Sequence, residues 1–319
     1  MRKSARVPLV RLACVRFMFC AWATVWASLY VMAAPVSKLS SVGSDTMGGV
    51  MTELTSQFAQ QYPSVVVQVQ ANGSSTAPPA LQEGAASLGP MSRRMSQSEK
   101  ARFRQRFGYD VTEIVIGVDA VAVFVHWENP VDQLTLSQVD AIFSSTRRCG
   151  AMRAIQSWSD LHSVESEGRQ TINVFGRNSA SGTYSYFRQV ALCGGDFRQS
   201  VAEQPGSSSV VQSVGASEHA IGYSGAGYRS ALVKMLAISP GEGMQAFLPT
   251  ASASLMGQYP LARPLYLYVN QPSELPLYGV ERDFLDFVLS DQGQQIVLQA
   301  GFIPLPDDLR SEIRSRLGL

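Results

Sequence analysis

Residues 176–183, with the sequence GRNSASGT, hold the side chains best suited to bind an anion. Arg177 supplies a planar guanidinium that matches a tetrahedral oxyanion, and hydroxyl side chains follow it at short range. The apolar spacing of residues 184–191 predicts a helix, whose first N–H groups and positive dipole end would face the anion. Because serine and threonine also serve as plain helix caps, these residues alone leave both interpretations open.

Three further stretches have glycine, serine or threonine where a predicted strand gives way to a helix. With the stretch above they are called, in chain order, segment 1 (43–49), segment 2 (72–76), segment 3 (89–94) and segment 4 (176–183). In an open α/β sheet, ligands bind outside the carboxyl ends of the strands, where such turns converge. Four such turns, two of them containing arginine, favour an anion site over capping alone.

The order and spacing of the four segments resemble the periplasmic phosphate-binding proteins of phosphate ABC transporters, a type II periplasmic binding protein family. The resemblance extends from about residue 38 to residue 319 and includes the stretches 135–143, 158–161 and 220–223. It implies an α/β fold of two lobes, each a central mixed sheet flanked by helices, with the ligand cleft between the lobes. Lobe I would comprise residues 34–126 and 262–319, and lobe II residues 127–261.

The resemblance also implies which residues bind phosphate. Segment 1 would supply the hydroxyl of Thr46 and the next backbone N–H, and segment 2 the hydroxyl that follows a glycine. Segment 3 would supply one side chain, and segment 4 an arginine, two hydroxyls and a glycine. The implied ligands are Thr46, Met47, Ser74, Ser92, Arg177, Ser181, Gly182 and Thr183.

Segment 3 departs from the family. Where the best-known members have a carboxylate that accepts the proton of hydrogen phosphate, this chain has Ser92, whose hydroxyl can also donate to sulfate. Asp45 or Asp119 could replace that carboxylate. We favour Asp45 because it lies within segment 1, although it could equally cap the following helix. Ser75 and Arg93 are additional candidate ligands, and Arg93 could instead lie on a solvated face.

Residues 1–33 predict a cleaved export signal, because basic residues precede an apolar run over 17–32 and small residues follow it. That run is shorter than the roughly 20 residues that a membrane-spanning helix needs, although an uncleaved anchor is the alternative. We therefore expect a soluble periplasmic protein. The segment holds five of the 26 basic residues and none of the 25 acidic ones, so the remainder carries a formal charge of −4. That charge does not favour nucleic acid or an anionic membrane as a partner.

Two cysteines, Cys149 and Cys193, remain after removal of residues 1–33. An oxidising periplasm permits a disulfide between them, and the alternative is two free thiols. There is no Cys-x-x-Cys motif, so a bridge would be structural rather than a redox site.

Predicted strands and helices alternate, which favours an α/β architecture with largely parallel sheets. Strands are predicted over 65–70 (as a buried strand), 114–126, 172–176, 220–223 and 265–269. Helices are predicted over 54–62 (ended by Pro63), 136–143, 184–192, 282–289 and 292–300. The segments that could bind an anion follow several of these strands.

Enzyme functions are less well supported by the sequence. The stretch 222–226, GYSGA, loosely resembles the nucleophile elbow of a serine hydrolase, but all three histidines precede Ser224, whereas that fold needs one after it. The histidines are far apart, which disfavours a metal site, and no Gly-x-x-x-x-Gly-Lys loop indicates a nucleotide. We expect no catalysis, cofactor or metal.

The resemblance implies a monomer that binds inorganic phosphate and delivers it to the membrane permease of an ABC transporter. The alternatives are a relative that binds another oxyanion, and one that serves as a phosphate sensor or secreted adhesive protein.

Overall fold

The computed structural model describes residues 37–161 and 170–319. The predicted export signal and His162 lie outside the described residues. The strands are β1 (Ser37–Val42), β2 (Val65–Gln70), β3 (Leu88–Met91), β4 (Val111–His126), β5 (Gln133–Thr135), β6 (Asn173–Arg177), β7 (Ala202–Gln204), β8 (Ala220–Gly225), β9 (Val233–Met235), β10 (Ala237–Ser239) and β11 (Ala262–Pro272). The helices are α1 (Gly48–Gln61), α2 (Ala77–Gln82), α3 (Gln97–Phe107), α4 (Leu136–Phe143), α5 (Gly182–Val190), α6 (Ser207–Gly215), α7 (Ala251–Leu255), α8 (Gly279–Val288), α9 (Asp291–Gln299) and α10 (Asp307–Leu317).

Within the described residues, nine strands form one mixed sheet in the order β2-β1-β3-β11-β4-β8-β6-β7, with β9 also paired to β4. Strands β1, β2 and β3 run parallel, as do β6, β7 and β8, but β11 and β4 at the centre are antiparallel to their neighbours. The expectation of largely parallel sheets therefore holds for the outer strands but not for β11 and β4, and the mixed sheet implied by the resemblance is confirmed. A second, two-stranded sheet pairs β5 with β10.

The long strand β4 contributes to separate hydrophobic clusters along its length. Ile114 and Ile116 pack with β1, β11 and helices α1, α8, α9 and α10, whereas Ala120, Val121, Val123 and Val125 pack with α4, α5, β6 and β8, and Ala122 and Phe124 pack with α6. Such a division gives each lobe its own buried core, as a two-lobed fold requires. The lobe boundaries given above stay a prediction.

Most predicted elements are present, and two differences have clear physical reasons. Helix α1 begins at Gly48 rather than near residue 54, because Val50 and Met51 continue the buried face formed by Leu54 and Phe58. Strand β2 lies at the edge of the sheet, where only Val65 is buried and alternate residues face solvent. The expectation that this strand is buried is wrong.

In 37–161 and 170–319, no helix combines the length and the apolar character needed to cross a bilayer.

The predicted disulfide between Cys149 and Cys193 is confirmed, with their Cα atoms 5.4 Å apart. The bridge joins the chain beyond α4 to the chain beyond α5. It therefore ties the end of the helix that follows segment 4 to a neighbouring part of lobe II.

Replacing both cysteines by alanine is expected to lower the free energy of unfolding by about 3–4 kcal/mol, because the bridge closes a long loop in the unfolded chain. Neither cysteine is fully buried, so little packing is lost. Denaturant unfolding of the double variant measures the loss, and reduced wild-type protein should give the same midpoint. An unchanged midpoint in both would contradict the prediction.

Candidate functional site

Segments 1, 2 and 3 emerge side by side because β1 lies between β2 and β3 and runs parallel to both. Backbone hydrogen bonds hold the segments together. Gly73 N donates to Gly43 O at 2.8 Å, and Ser44 N donates to Pro90 O at 2.8 Å. The carboxyl ends of three neighbouring strands thus form one continuous rim on lobe I, as expected for an open α/β sheet.

Segment 4, which follows β6 of lobe II, lies directly against this rim. Ser75 N of segment 2 donates to Ala180 O at 3.1 Å. A Cβ atom on Gly182 would lie 2.6 Å from Ser92 Oγ and 2.8 Å from Ser74 Cβ. A residue with a Cβ atom would clash here, so the glycine allows the backbone of segment 4 to pack closely against segments 2 and 3.

Buried hydroxyl groups from segments of both lobes meet at this contact. Thr46 Oγ1 and Thr183 Oγ1 are 2.9 Å apart, and Ser74 Oγ and Ser92 Oγ are 3.2 Å apart. All four side chains are essentially inaccessible to solvent. Each hydroxyl can donate one hydrogen bond and rotate its proton, so the group can turn several donors towards one buried acceptor.

Ser181 caps helix α5, and Met47 precedes helix α1. Ser181 Oγ accepts hydrogen bonds from Thr183 N at 3.1 Å and Tyr184 N at 3.5 Å, so the capping interpretation of segment 4 applies to this residue. The Met47 side chain is fully buried in the core of lobe I, which leaves its backbone as the polar part. The amino ends of both helices therefore point towards the contact between the lobes, and each adds a positive dipole end.

Arg177 lies at the end of β6 and is only 1 % exposed. Its Nη2 atom is 2.8 Å from Asp45 Oδ2 of segment 1, an ion pair that crosses from lobe II to lobe I. Its guanidinium also donates to Ser207 Oγ at 2.9 Å and to Pro205 O at 3.1 Å. Asp45 thus pairs with Arg177 and does not cap helix α1, whose cap residue Met47 makes no side-chain cap hydrogen bond.

The candidate ligands Ser75 and Arg93 lie just behind the rim. Arg93 makes two hydrogen bonds of 2.8 Å to the carboxylate of Glu99, and its Nη2 donates to Ser75 Oγ at 3.3 Å. This side chain is 15 % exposed, so it does not lie on a solvated face. Arg93 connects segment 2 to helix α3 and supports the rim from outside.

A second buried ion pair joins β4 to β11. Arg263 Nη2 is 2.8 Å from Asp119 Oδ2, and the two side chains are 2 % and 1 % exposed. The same Nη2 atom donates to Thr183 Oγ1 at 2.8 Å. Arg263 therefore reaches segment 4 from the sheet, and through Thr183 it is linked to Thr46 of segment 1.

Tyr228 lies between the two carboxylates. Its hydroxyl donates to Thr46 O at 2.8 Å, which adds another bond between the lobes. Burial first, and then the negative charges of Asp45 and Asp119, raise the pKa of Tyr228 to about 12. The phenol therefore stays protonated as a donor throughout the physiological pH range.

Three polar atoms at this site are buried and have no hydrogen-bond partner within the described residues: Asp45 Oδ1, Asp119 Oδ1 and Arg263 Nη1. Leaving such atoms unpaired costs about 1–3 kcal/mol each, and more for charged groups. Native structures pair the great majority of buried polar atoms. Unpaired charged atoms beside a cluster of hydroxyls indicate a place where a polar ligand binds.

The serine of the sequence GYSGA is placed differently from a hydrolase nucleophile. Ser224 lies inside β8, fully buried, and its Oγ donates to Ser207 O at 3.1 Å. Its hydroxyl is therefore bonded to a carbonyl rather than to a histidine, and the strand does not turn sharply into a long helix at this residue.

Comparison with known proteins gives the family. The model of the PBP superfamily domain matches residues 32–292. The phosphate-binding protein PstS of Pseudomonas aeruginosa (strain PAO1) is 50 % identical over 291 residues, which cover 91 % of this chain and 90 % of the relative. The chain belongs to the PBP superfamily, and within it to the PstS family.

Relatives at lower identity cover similar shares of the chain. The phosphate-binding protein PstS of Staphylococcus saprophyticus is 28 % identical, over 86 % of this chain and 82 % of the relative. A protein of Clostridium perfringens, assigned as a phosphate ABC transporter substrate-binding protein and solved with bound phosphate, superposes with a TM-score of 0.70 at 26 % identity. It covers 85 % of this chain and all of that one. These matches confirm the two-lobed α/β fold for this member of the PstS family.

All the residues that the sequence predicts as ligands lie at or beside the contact between the lobes, but sequence reasoning missed Arg263 and Tyr228. A signal for Arg263 exists. Asp119 is the only charged residue within the predicted strand 114–126, and Arg263 lies two residues before the predicted strand 265–269. Because an isolated charge is costly to bury, two of opposite sign on neighbouring strands predict a pair. Tyr228 has no comparable signal, since its role depends on the approach of segment 1.

Proposed function

We propose that this protein binds inorganic phosphate between its lobes and delivers it, in the periplasm, to the membrane permease of an ABC transporter. The observation that carries the proposal is the convergence of hydroxyl groups and helix amino ends from all four segments on one buried contact between the lobes. The family relatives named for phosphate binding, and the C. perfringens structure with bound phosphate, support it. The protein acts as a binding protein without turnover, and as a monomer.

In this proposal each segment gives phosphate a defined contact. Hydroxyl groups donate from Thr46, Ser74, Ser92, Ser181 and Thr183, backbone N–H groups donate from Met47 and Gly182, and the guanidinium of Arg177 adds a positive charge. Asp45 holds that guanidinium in place across the cleft, and Ser75 and Arg93 brace the rim. The lobes close on the anion because both supply its donors.

The energies are sufficient for tight binding. Each hydrogen bond to a charged group contributes roughly 1.5–3 kcal/mol, whereas micromolar affinity needs about 8 kcal/mol in total. Eight donors exceed this requirement even after the cost of ordering and desolvation. The net negative charge of the chain outside residues 1–33 means that short-range hydrogen bonds, rather than long-range attraction, must supply the affinity.

Calorimetry of protein that has been unfolded and refolded, to remove carried ligand, tests the proposal. Residues 34–319 would be titrated with phosphate, sulfate, arsenate and molybdate at constant ionic strength. We expect micromolar or tighter binding of phosphate, and similar binding of its close analogue arsenate. Failure to bind phosphate while another oxyanion binds would overturn the proposal in favour of a different anion. Failure to bind any of the four would favour a role without anion binding, such as a secreted adhesive protein.

A further inference from the structure

The ion pair between Arg263 and Asp119 leaves part of its hydrogen-bonding capacity unused within the described residues. Arg263 Nε and Nη2 both donate to a single oxygen, Asp119 Oδ2, at 3.1 Å and 2.8 Å. Arg263 Nη1 and Asp119 Oδ1 are buried and have no partner there. A buried ion pair is stable when further hydrogen bonds satisfy its remaining donors and acceptors, so the unused Nη1 of Arg263 and Oδ1 of Asp119 need an explanation.

The pair is held rigidly beside the hydroxyl groups of the site. Arg263 and Asp119 face each other on neighbouring antiparallel strands, and the ring of Tyr186 lies 5.2 Å from the guanidinium carbon. Arg263 also donates to Thr183 Oγ1, which leaves the Thr183 proton free for another acceptor. Asp119 Oδ1 lies 3.0 Å from where a side chain at Gly225 would begin, so a glycine at this position avoids a tight contact with that oxygen.

We propose that this pair is a second charged contact to the anion and sets the selectivity of the site. Arg263 Nη1 donates a hydrogen bond to one anion oxygen, and Asp119 Oδ1 accepts the proton of a protonated oxyanion. The inference rests on the proposed function, because it concerns the same site. It assigns to Asp119 and Arg263 roles that the four segments do not supply.

The chemistry of the two ions explains why an acceptor matters. At neutral pH hydrogen phosphate carries a proton that it can donate, whereas sulfate carries none. An ionised carboxylate can only accept, so sulfate would place an oxygen against Asp119 Oδ1 with no proton between them. A site built to bond a substrate O–H rejects analogues that lack it by roughly 10⁴-fold. The Ser92 hydroxyl cannot discriminate in this way because it can also donate.

Asp45 is the competing acceptor, since its Oδ1 is also without a partner in the described chain. Two observations favour Asp119. The Asp119 side chain is 1 % exposed and the Asp45 side chain 14 %, so the more fully desolvated Asp119 carboxylate depends more on a ligand to satisfy it. Asp119 is also the one whose arginine partner still has an unused buried donor, so both members of this pair have a polar atom left to bond within the described residues.

The experiment compares phosphate and sulfate affinities of wild-type protein with those of Asp119→Asn, Asp45→Asn and Arg263→Lys, by calorimetry and by competition at constant ionic strength. In Asp119→Asn, the amide can donate to sulfate, so we expect the preference for phosphate to fall at least 100-fold. In Asp45→Asn we expect the preference to remain within about threefold of wild type. In Arg263→Lys, we expect phosphate affinity to fall at least tenfold with the preference retained.

Folding and specificity controls keep the result interpretable. Asp119→Asn leaves Arg263 unbalanced, so thermal melting without ligand must first show a folded protein. If that variant does not fold, Asp45→Asn decides the assignment of Asp119, since loss of the preference for phosphate in Asp45→Asn would overturn it and retention supports it. Arg263→Lys keeps the positive charge but loses the planar fork with its unused Nη1 donor, so it tests the role of Arg263 separately. The exposed ion pair between Arg104 of α3 and Asp110, the residue before β4, offers matched controls, Arg104→Lys and Asp110→Asn, that should bind phosphate as wild type does.

Each outcome has one meaning. Unchanged selectivity in a folded Asp119→Asn variant, or its loss in Asp45→Asn instead, would overturn the assignment of Asp119. Unchanged phosphate affinity in Arg263→Lys would overturn the assignment of Arg263. Equal binding of phosphate and sulfate by wild-type protein would overturn the selectivity role while leaving the proposed function intact. Absence of phosphate binding by wild-type protein would instead refute the proposed function.

Discussion

Gly182→Ala is expected to weaken phosphate binding by about 100-fold. The new Cβ would lie 2.6 Å from Ser92 Oγ, with Ser74 Oγ closer still and Ser74 Cβ at 2.8 Å. Rotating the serine hydroxyls does not relieve the contact with a Cβ atom, so segment 4 must move away from segments 2 and 3. Overpacking of this kind costs typically 1–3 kcal/mol, and about 3 kcal/mol corresponds to roughly 100-fold in affinity.

The same substitution should not unfold the protein. Gly182 is the first residue of α5 and has no positive φ, and alanine favours a helix by about 1 kcal/mol over glycine. Calorimetry with phosphate measures the loss, and thermal melting without ligand checks the fold. Gly49→Ala is the matched control, because a Cβ there would meet nothing within 4 Å. Wild-type affinity in Gly182→Ala would mean that the lobes do not close through this contact.

Arg177→Ala is expected to weaken phosphate binding more than tenfold. The substitution removes a buried positive charge and breaks the ion pair with Asp45 that joins the lobes. It also leaves Asp45 partly buried, as a negative charge without its partner in the cleft that receives an anion. Both effects disfavour the bound, closed state, and a loss of only 1.4 kcal/mol already corresponds to tenfold.

Two further variants separate charge from geometry. Arg177→Lys keeps the charge but cannot reproduce the planar fork that serves Asp45 and Ser207 together, so we expect partial recovery of affinity. Arg188→Ala, which removes an arginine paired with Asp196 at the surface, is the control and should bind as wild type. Near-wild-type affinity in Arg177→Ala would contradict a role for Arg177 in binding.

The sequence by itself determined the features that depend on neighbouring residues. Apolar spacing gave helices such as α4 at its observed limits, because the buried face of a helix repeats every three to four residues. Glycine and hydroxyl residues after strands identified the four segments, and the resemblance in their order gave the family. The disulfide was predictable because only two cysteines remain outside residues 1–33.

Only the tertiary structure decided which residues meet across long separations. The sequence could not place β2 at an edge, because the number of neighbours of a strand is a property of the whole sheet. It proposed Asp45 as a proton acceptor or helix cap, whereas the fold pairs Asp45 with Arg177. Arg263 joins the site because β11 returns antiparallel beside β4 and brings it opposite Asp119. Local sequence patterns record what each segment can do, but the partner of a buried charge is fixed only when the chain has folded and water has been excluded.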